Sequence, residues 1–134
     1  MTEPLICLLI DDDHDDSEMF QLAIERTKIP VDCIVANSAI QALKLLKDDE
    51  EMIPDFIFVD LNMPLMNGRE CILELKKMGK LKECTIIVYS TSSNKQEIKE
   101  MLEMGVARFI TKPSDISILQ NALVESLLHK VKAE

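Results

Sequence analysis

The sequence predicts an α/β protein, a doubly wound three-layer sandwich in which five parallel strands alternate with five helices. Short runs rich in β-branched and aromatic residues recur without strict alternation, as strands buried on both faces require. The stretches between them carry apolar residues at helical spacing. Each crossover is long enough for a right-handed parallel connection.

Leu5 to Ile10 reads as the first strand and stops at Asp11-Asp12-Asp13-His14-Asp15-Asp16. A helix from about Asp15 to Lys28 follows, with Phe20, Ala23, Ile24 and Thr27 on one face and the acids at its positive end. Pro30 closes it, and Val31 to Ala36 is a short second strand. Asn37 or Ser38 then caps a helix that buries Ala39, Ala42, Leu43 and Leu46. The third strand, Phe56 to Val59, ends in Asp60, and Asn67-Gly68 opens a helix carrying Cys71, Ile72, Leu75 and Met78 inward, with Gly79 as its C-terminal cap. Thr85 to Tyr89 is the fourth strand, ending in Ser90-Thr91-Ser92-Ser93. Ser93 with Gln96 has the form of a capping box for a helix that buries Ile98, Met101 and Leu102 and stops before Gly105. Arg108 to Thr111 forms the fifth strand, followed by Lys112-Pro113. Ser114 or Asp115 caps a last helix with Ile116, Leu119, Leu123 and Leu127 inside.

At 134 residues the chain is expected to be one domain, with its core over about residues 5–130 and no output domain. The net charge of −9 argues against direct DNA binding or attraction to an anionic membrane surface. No apolar stretch is long enough to insert across a bilayer, and Met1 to Pro4 has neither the basic region nor the apolar run of a signal peptide, so a cytoplasmic location is expected. Cys7, Cys33, Cys71 and Cys84 lack metal or redox spacing and read as buried free thiols.

In open α/β sheets the ligand crevice lies beyond the carboxyl ends of the strands, here expected between the first and third. Asp11, Asp12, Asp60, Ser90 and Lys112 should converge there. Taken alone, Asp60 reads better as a turn or helix-cap aspartate, and the residues around it decide for a functional one. Crowded carboxylates repel, and a hard divalent cation with oxygen ligands, Mg2+ or alternatively Mn2+, is the simplest compensation. Such a cation would let Asp60 attack a phosphoryl donor, with Lys112 pairing with the phosphate oxygens and Ser90 donating a hydrogen bond. His14 and His129 read as solvated. Asp13 reads better as a helix cap than as a ligand.

The set Asp11-Asp12, Asp60 with Met63-Pro64 and Gly68, Ser90, and Lys112-Pro113 resembles the receiver domain of two-component response regulators over essentially the whole chain, and within that family the single-domain, chemotaxis-regulator-like type. The resemblance implies a flavodoxin-like (βα)5 fold with strand order 2-1-3-4-5. It implies that Asp60 is the phosphoacceptor, that Asp12, Asp60 and the backbone carbonyl of Asn62 bind the metal, and that Asp11 helps through water. Ser90 and Phe109 would form the switch, Lys112 would hold the phosphate, and the bond before Pro113 would be cis. A phenylalanine at 109 can switch only through packing, because it has no hydroxyl to offer a partner.

On this reading the protein accepts a phosphoryl group from a sensor histidine kinase or phosphotransfer protein. It signals by protein contact through the fourth helix, fifth strand and fifth helix, as a monomer or weak homodimer. It would not be a turnover enzyme. The alternative is a receiver-like adaptor that ignores phosphate. An aspartate-nucleophile phosphohydrolase is disfavoured because Asn62 stands where a general acid is needed. An FMN protein is disfavoured because its phosphate would meet Asp11 to Asp13.

Overall fold

In the computed structural model, which describes residues 3–133, five strands and five α-helices alternate as β1 (Leu5–Ile10), α1 (His14–Arg26), β2 (Val31–Ala36), α2 (Ala39–Asp48), β3 (Phe56–Val59), α3 (Gly68–Lys76), β4 (Thr85–Ser90), α4 (Lys95–Glu103), β5 (Arg108–Thr111) and α5 (Ile116–Ala133). All strands are parallel, in the order β2-β1-β3-β4-β5. The expected doubly wound topology is therefore present. Met1 and Thr2, part of the segment read for a leader, and Glu134 lie outside the described residues.

The unbroken apolar runs are explained by two cores, one on each face of the sheet. Leu8 and Ile10 of β1, Ile57 and Val59 of β3, and Ile86 and Val88 of β4 face one core, which α2, α3 and α4 close with Leu46, Ile72 and Met101. Their alternating neighbours Cys7, Leu9, Phe56, Phe58, Ile87 and Tyr89 face the other, closed by Phe20 and Ile24 of α1 and Leu119, Leu123 and Leu127 of α5. Because side chains in a strand alternate between faces, a strand with two apolar partners must be apolar throughout. Phe20 meets Phe58 edge-on at 4.9 Å and Tyr89 at 5.3 Å, so the α1 face is locked by three rings.

Local signals set most helix starts. Ser38 accepts from Gln41 N at the start of α2, and Asn67 forms a reciprocal capping box with Glu70 at the start of α3. The α4 cap is Asn94, which accepts from Glu97 N, in place of the expected Ser93. Both residue types cap well, and Asn94 carries the acid three positions on, where the positive helix end favours it. Ahead of α5, Asp115 accepts from Ser117 N.

Three other expectations are corrected. Helix α1 stops at Arg26, because Thr27 turns its hydroxyl back onto Ile24 O and Lys28 takes a positive φ of 63°. Helix α3 ends at Lys76, and Gly79 opens a 3-10 turn (Gly79–Leu81) instead of capping it. Leu102 is 46% exposed, and α4 buries only Met101, because this short helix lies over the sheet on a narrow face. The four cysteines form no disulfide among the described residues, and only Cys7 and Cys71 are fully buried, Cys33 and Cys84 being half-buried.

Truncating Phe58 to alanine is expected to cost about 3–5 kcal/mol of unfolding free energy in urea melts, whereas Leu102→Ala should stay within about 0.5 kcal/mol. Equal losses would contradict this assignment of the core.

Candidate functional site

The sheet itself aims the acids. Asp11 N donates to Ala36 O at 3.1 Å and Asp60 N to Ile10 O at 3.0 Å, so the hydrogen-bond ladders run one residue past β1 and β3 and carry both carboxylates to the same edge. Lys112 N donates to Ser90 O at 2.7 Å, extending the β4–β5 ladder likewise. Each acid then fixes one of its oxygens locally: Asp11 Oδ1 accepts from Asp13 N at 2.9 Å, and Asp60 Oδ1 from Asn62 N at 3.2 Å. The second oxygen of each is left facing the middle of the site.

There they meet Lys112, whose ammonium lies 2.8 Å from Asp11 Oδ2 and 3.4 Å from Asp60 Oδ2. The shortest contact is with Asp16, in sequence one of the acids at the positive end of the helix, whose Oδ2 accepts from Lys112 Nζ at 2.7 Å. The Tyr89 ring sits 5.3 Å from the same nitrogen. Asp16 lies on the third residue of α1, where its charge is favourable to the helix in any case. That ordinary role hid the second one, which depends on a partner 96 residues away.

Asp11 and Asp60 are 1% and 4% exposed. Burial pushes the Asp60 carboxyl up to about 6 and Asp11 adds to the rise, against the opposing pull of Lys112 and the Asn62 N–H. Burial works against the Lys112 charge as well, but the surrounding carboxylates outweigh it and hold its pKa above the ordinary lysine value. Burial also raises the Tyr89 phenol.

One cation does not complete the balance. Asp11, Asp12 and Asp60 bring ligand oxygens within 4.8 Å of one another. Asp11 Oδ2 is buried and has Lys112 as an ion-pair neighbour at 2.8 Å, with no further hydrogen-bond donor. Three hard oxygen donors with a single ammonium among them fit a divalent cation.

The other expected residues sit around this edge. Asp12 is exposed, and Asp13 caps α1 by accepting from Asp16 N, the cap role that its sequence position suggests. Ser90 is fully buried, and its Oγ accepts from Ser92 N at 3.4 Å. Phe109 pairs with Val88 and Ser90 with Thr111, so Ser90 and Phe109 face the same side of the sheet, where half-buried Phe109 packs on the core that contains Met101. His14 is solvated and pairs with Glu18, and His129 is exposed on α5.

The Lys112–Pro113 bond is trans, as are all peptide bonds of the described residues, which corrects the expected cis-proline. The tertiary amide before proline favours trans by only about 0.5–1 kcal/mol, so either isomer suits a strand end.

Gly68 was singled out as part of a motif, and its physical reason is visible. A Cβ at this position would stand 2.3 Å from Asp60 O and 2.6 Å from Leu61 Cα. Only glycine lets the first turn of α3 press against the backbone that carries Asp60, where Gly68 N donates to Leu61 O at 3.0 Å. Within the same loop Leu65 adopts a left-handed φ of 66° and is 92% exposed.

Residues 7–124 match the response regulator receiver domain family. The chain belongs to that family. It is similar to response regulator Rcp1 of Synechocystis sp. (strain ATCC 27184 / PCC 6803 / Kazusa), with 28% identity over 120 residues, 87% of this chain and 82% of that protein. The crystal structure of the Mn(2+)-bound form of Rcp1 superposes with a TM-score of 0.78 at 27% identity, covering 91% of each chain. The phosphorylated cyanobacterial phytochrome response regulator RcpA superposes with a TM-score of 0.85 at 25% identity, covering 98% of this chain and 96% of that one. The protein is thus a two-component receiver of flavodoxin-like fold, a class that works through phosphorylation of an aspartate.

Two outcomes follow from this geometry. Gly68→Ala should destabilise the protein by about 1–3 kcal/mol, read from urea midpoints, because backbone has to shift. In metal-free protein the folded state keeps the Asp60 proton up to about pH 6, while an unfolded carboxyl releases it near the ordinary aspartate value of 3.8. The Asp60 contribution to stability is therefore present below that lower value and is lost as pH rises through about 6. Stability of the wild type relative to Asp60→Asn should fall across this window by on the order of 2–3 kcal/mol and level off above it. A difference that stays flat from pH 4 to 7 would contradict this.

Proposed function

We propose that Asp60 is the residue that accepts the phosphoryl group, with the rest of the acidic edge arranged around that reaction. The observation that carries the reading is that a buried carboxylate held at a strand end shares one lysine with two other acids and also belongs, with Asp11 and Asp12, to a set of oxygens that could hold a cation. Asp60 Oδ2 attacks the phosphorus of a phosphohistidine on a sensor kinase or phosphotransfer protein. The new O–P bond forms as the P–N bond breaks, and the imidazole leaves with the electron pair. Attack needs the ionised carboxylate, which burial disfavours.

Asp12, Asp60 and the Asn62 carbonyl would hold a magnesium ion, with Asp11 reaching it through water. When bound, magnesium neutralises the crowded acids and draws charge from the phosphoryl oxygens. Lys112 turns to a phosphoryl oxygen and holds it.

Ser90 answers at the end of β4. In the unmodified protein its hydroxyl is turned to the Ser92 backbone. Once it donates to the phosphoryl group it vacates space on the face it shares with Phe109, and the ring turns inward. Helix α4, anchored by Met101 alone among its residues that are fully buried, is the element best able to respond. The signal then passes by protein contact across α4, β5 and α5. This is a shift of population between two packings. The described residues contain no helix long and apolar enough to cross a membrane, in keeping with a cytoplasmic signalling protein.

With magnesium and a small acyl phosphate, the wild type is expected to gain one acid-stable, base-labile phosphoryl group by mass spectrometry, and Asp60→Asn none. Lys112→Ala should slow formation roughly 10²-fold or more, the scale for loss of one charged stabiliser of the transition state. Equal labelling of wild type and Asp60→Asn would overturn the assignment. Labelling that proceeds while leaving partner affinity unchanged would favour a phosphate-indifferent adaptor.

A further inference from the structure

Lys112 is pulled in two directions. Of its two aligned hydrogen bonds, the one to Asp16 is 2.7 Å and the one to Asp60 is 3.4 Å. The Asp11 contact at 2.8 Å adds attraction without hydrogen-bond alignment. The ammonium therefore sits toward α1, held back from the carboxylate that it is to assist. An ammonium has three donors, and three carboxylates lie within 3.4 Å of this one, so an entering phosphoryl oxygen competes with them for it. The Tyr89 ring bounds its path on the α1 side of the sheet.

The acceptors are not equally easy to displace. The Asp11 side chain has no exposure, and leaving it without Lys112 would strand a buried charge. The Asp16 side chain is 33% exposed and can return to water.

We propose that Asp16 is a positioning residue that competes with the phosphoryl group for Lys112 and so sets how strongly the site holds an aspartyl phosphate. This rests on the reading of Lys112 as the phosphate-holding residue. Asp16 tethers the ammonium in the unmodified protein and releases it when phosphoryl oxygens arrive. Its effect is on the affinity of the site for a tetrahedral anion, and it does not touch the reacting atoms.

The test uses beryllofluoride, which caps a carboxylate as a phosphoryl group does. Its binding to the full chain in saturating magnesium is measured by calorimetry, with bound and free fluoride signals in 19F NMR as a second readout. Asp16→Asn should bind beryllofluoride roughly three- to tenfold more tightly than wild type, the scale of one competing charge-assisted hydrogen bond. Asp15→Asn removes the same charge from the same helical turn at an exposed position, and should stay within about twofold of wild type because exposed charges are screened. Asp16→Glu, which keeps the tether, should also stay close to wild type.

In a Lys112→Met background the gain from Asp16→Asn should vanish. Unchanged or weaker binding by Asp16→Asn, an equal gain from Asp15→Asn, or a gain that survives without Lys112 would each overturn the proposal. Failure of the wild type to bind beryllofluoride would instead overturn the reading on which it rests, and the proposal with it. Far-UV circular dichroism confirms that each variant is folded.

Discussion

The structure depends on a charge conflict at the carboxyl edge of the sheet. Asp11 and Asp60 are forced together and out of water by the β1–β3 ladder, and Asp12 stands beside them. A single buried lysine meets the first two and takes its shortest contact from a third acid, Asp16. Such an arrangement is costly without a cation and favourable with one, because an isolated buried carboxylate loses its hydration without recovering it from the protein. Everything else near the site keeps this conflict in place. Gly68 lets α3 press on the Asp60 backbone, Asn62 and Asp13 fix one oxygen of each buried acid, and three rings lock the helix that carries Asp16.

The conflict also links chemistry to shape. Lys112 is tied through its backbone to Ser90, so the residue proposed to grip the phosphoryl group and the residue proposed to answer it share one ladder bond. Ser90 in turn lies on the Phe109 side of the sheet, over the least anchored helix. On the proposed mechanism, a rearrangement around one ammonium reaches the α4–β5–α5 surface through side chains already in register. The opposite face, closed by Phe20, Phe58, Tyr89 and three leucines of α5, has no such slack.

Much of this was legible in the sequence because it is written in strand ends. An apolar run that breaks off in acid, hydroxyl or lysine announces both a buried strand and the residue at its tip, so Asp11, Asp60, Ser90 and Lys112 could be placed together without coordinates. Order 2-1-3-4-5 is what the resemblance to receiver domains implied, and the strand pairing has it. What could not be read depends on distant partners or on close competition between neighbours. Asp16 looked complete as a first-turn acid. Asn94 and Ser93 are both good caps, and only the backbone path selects one. Leu102 fits the helical stripe, yet α4 meets the sheet along too narrow a strip to bury it. The bond before Pro113 is a near-balanced choice that no local pattern decides.

The most direct measurement of the central claim is chemical. Reducing the phosphorylated protein with borohydride converts an aspartyl phosphate to homoserine, and peptide mass mapping then locates it. The account predicts homoserine at position 60 and nowhere else among the clustered acids. Conversion at Asp11, Asp12 or Asp16, or a phosphoryl group found on His14 or His129, would contradict it.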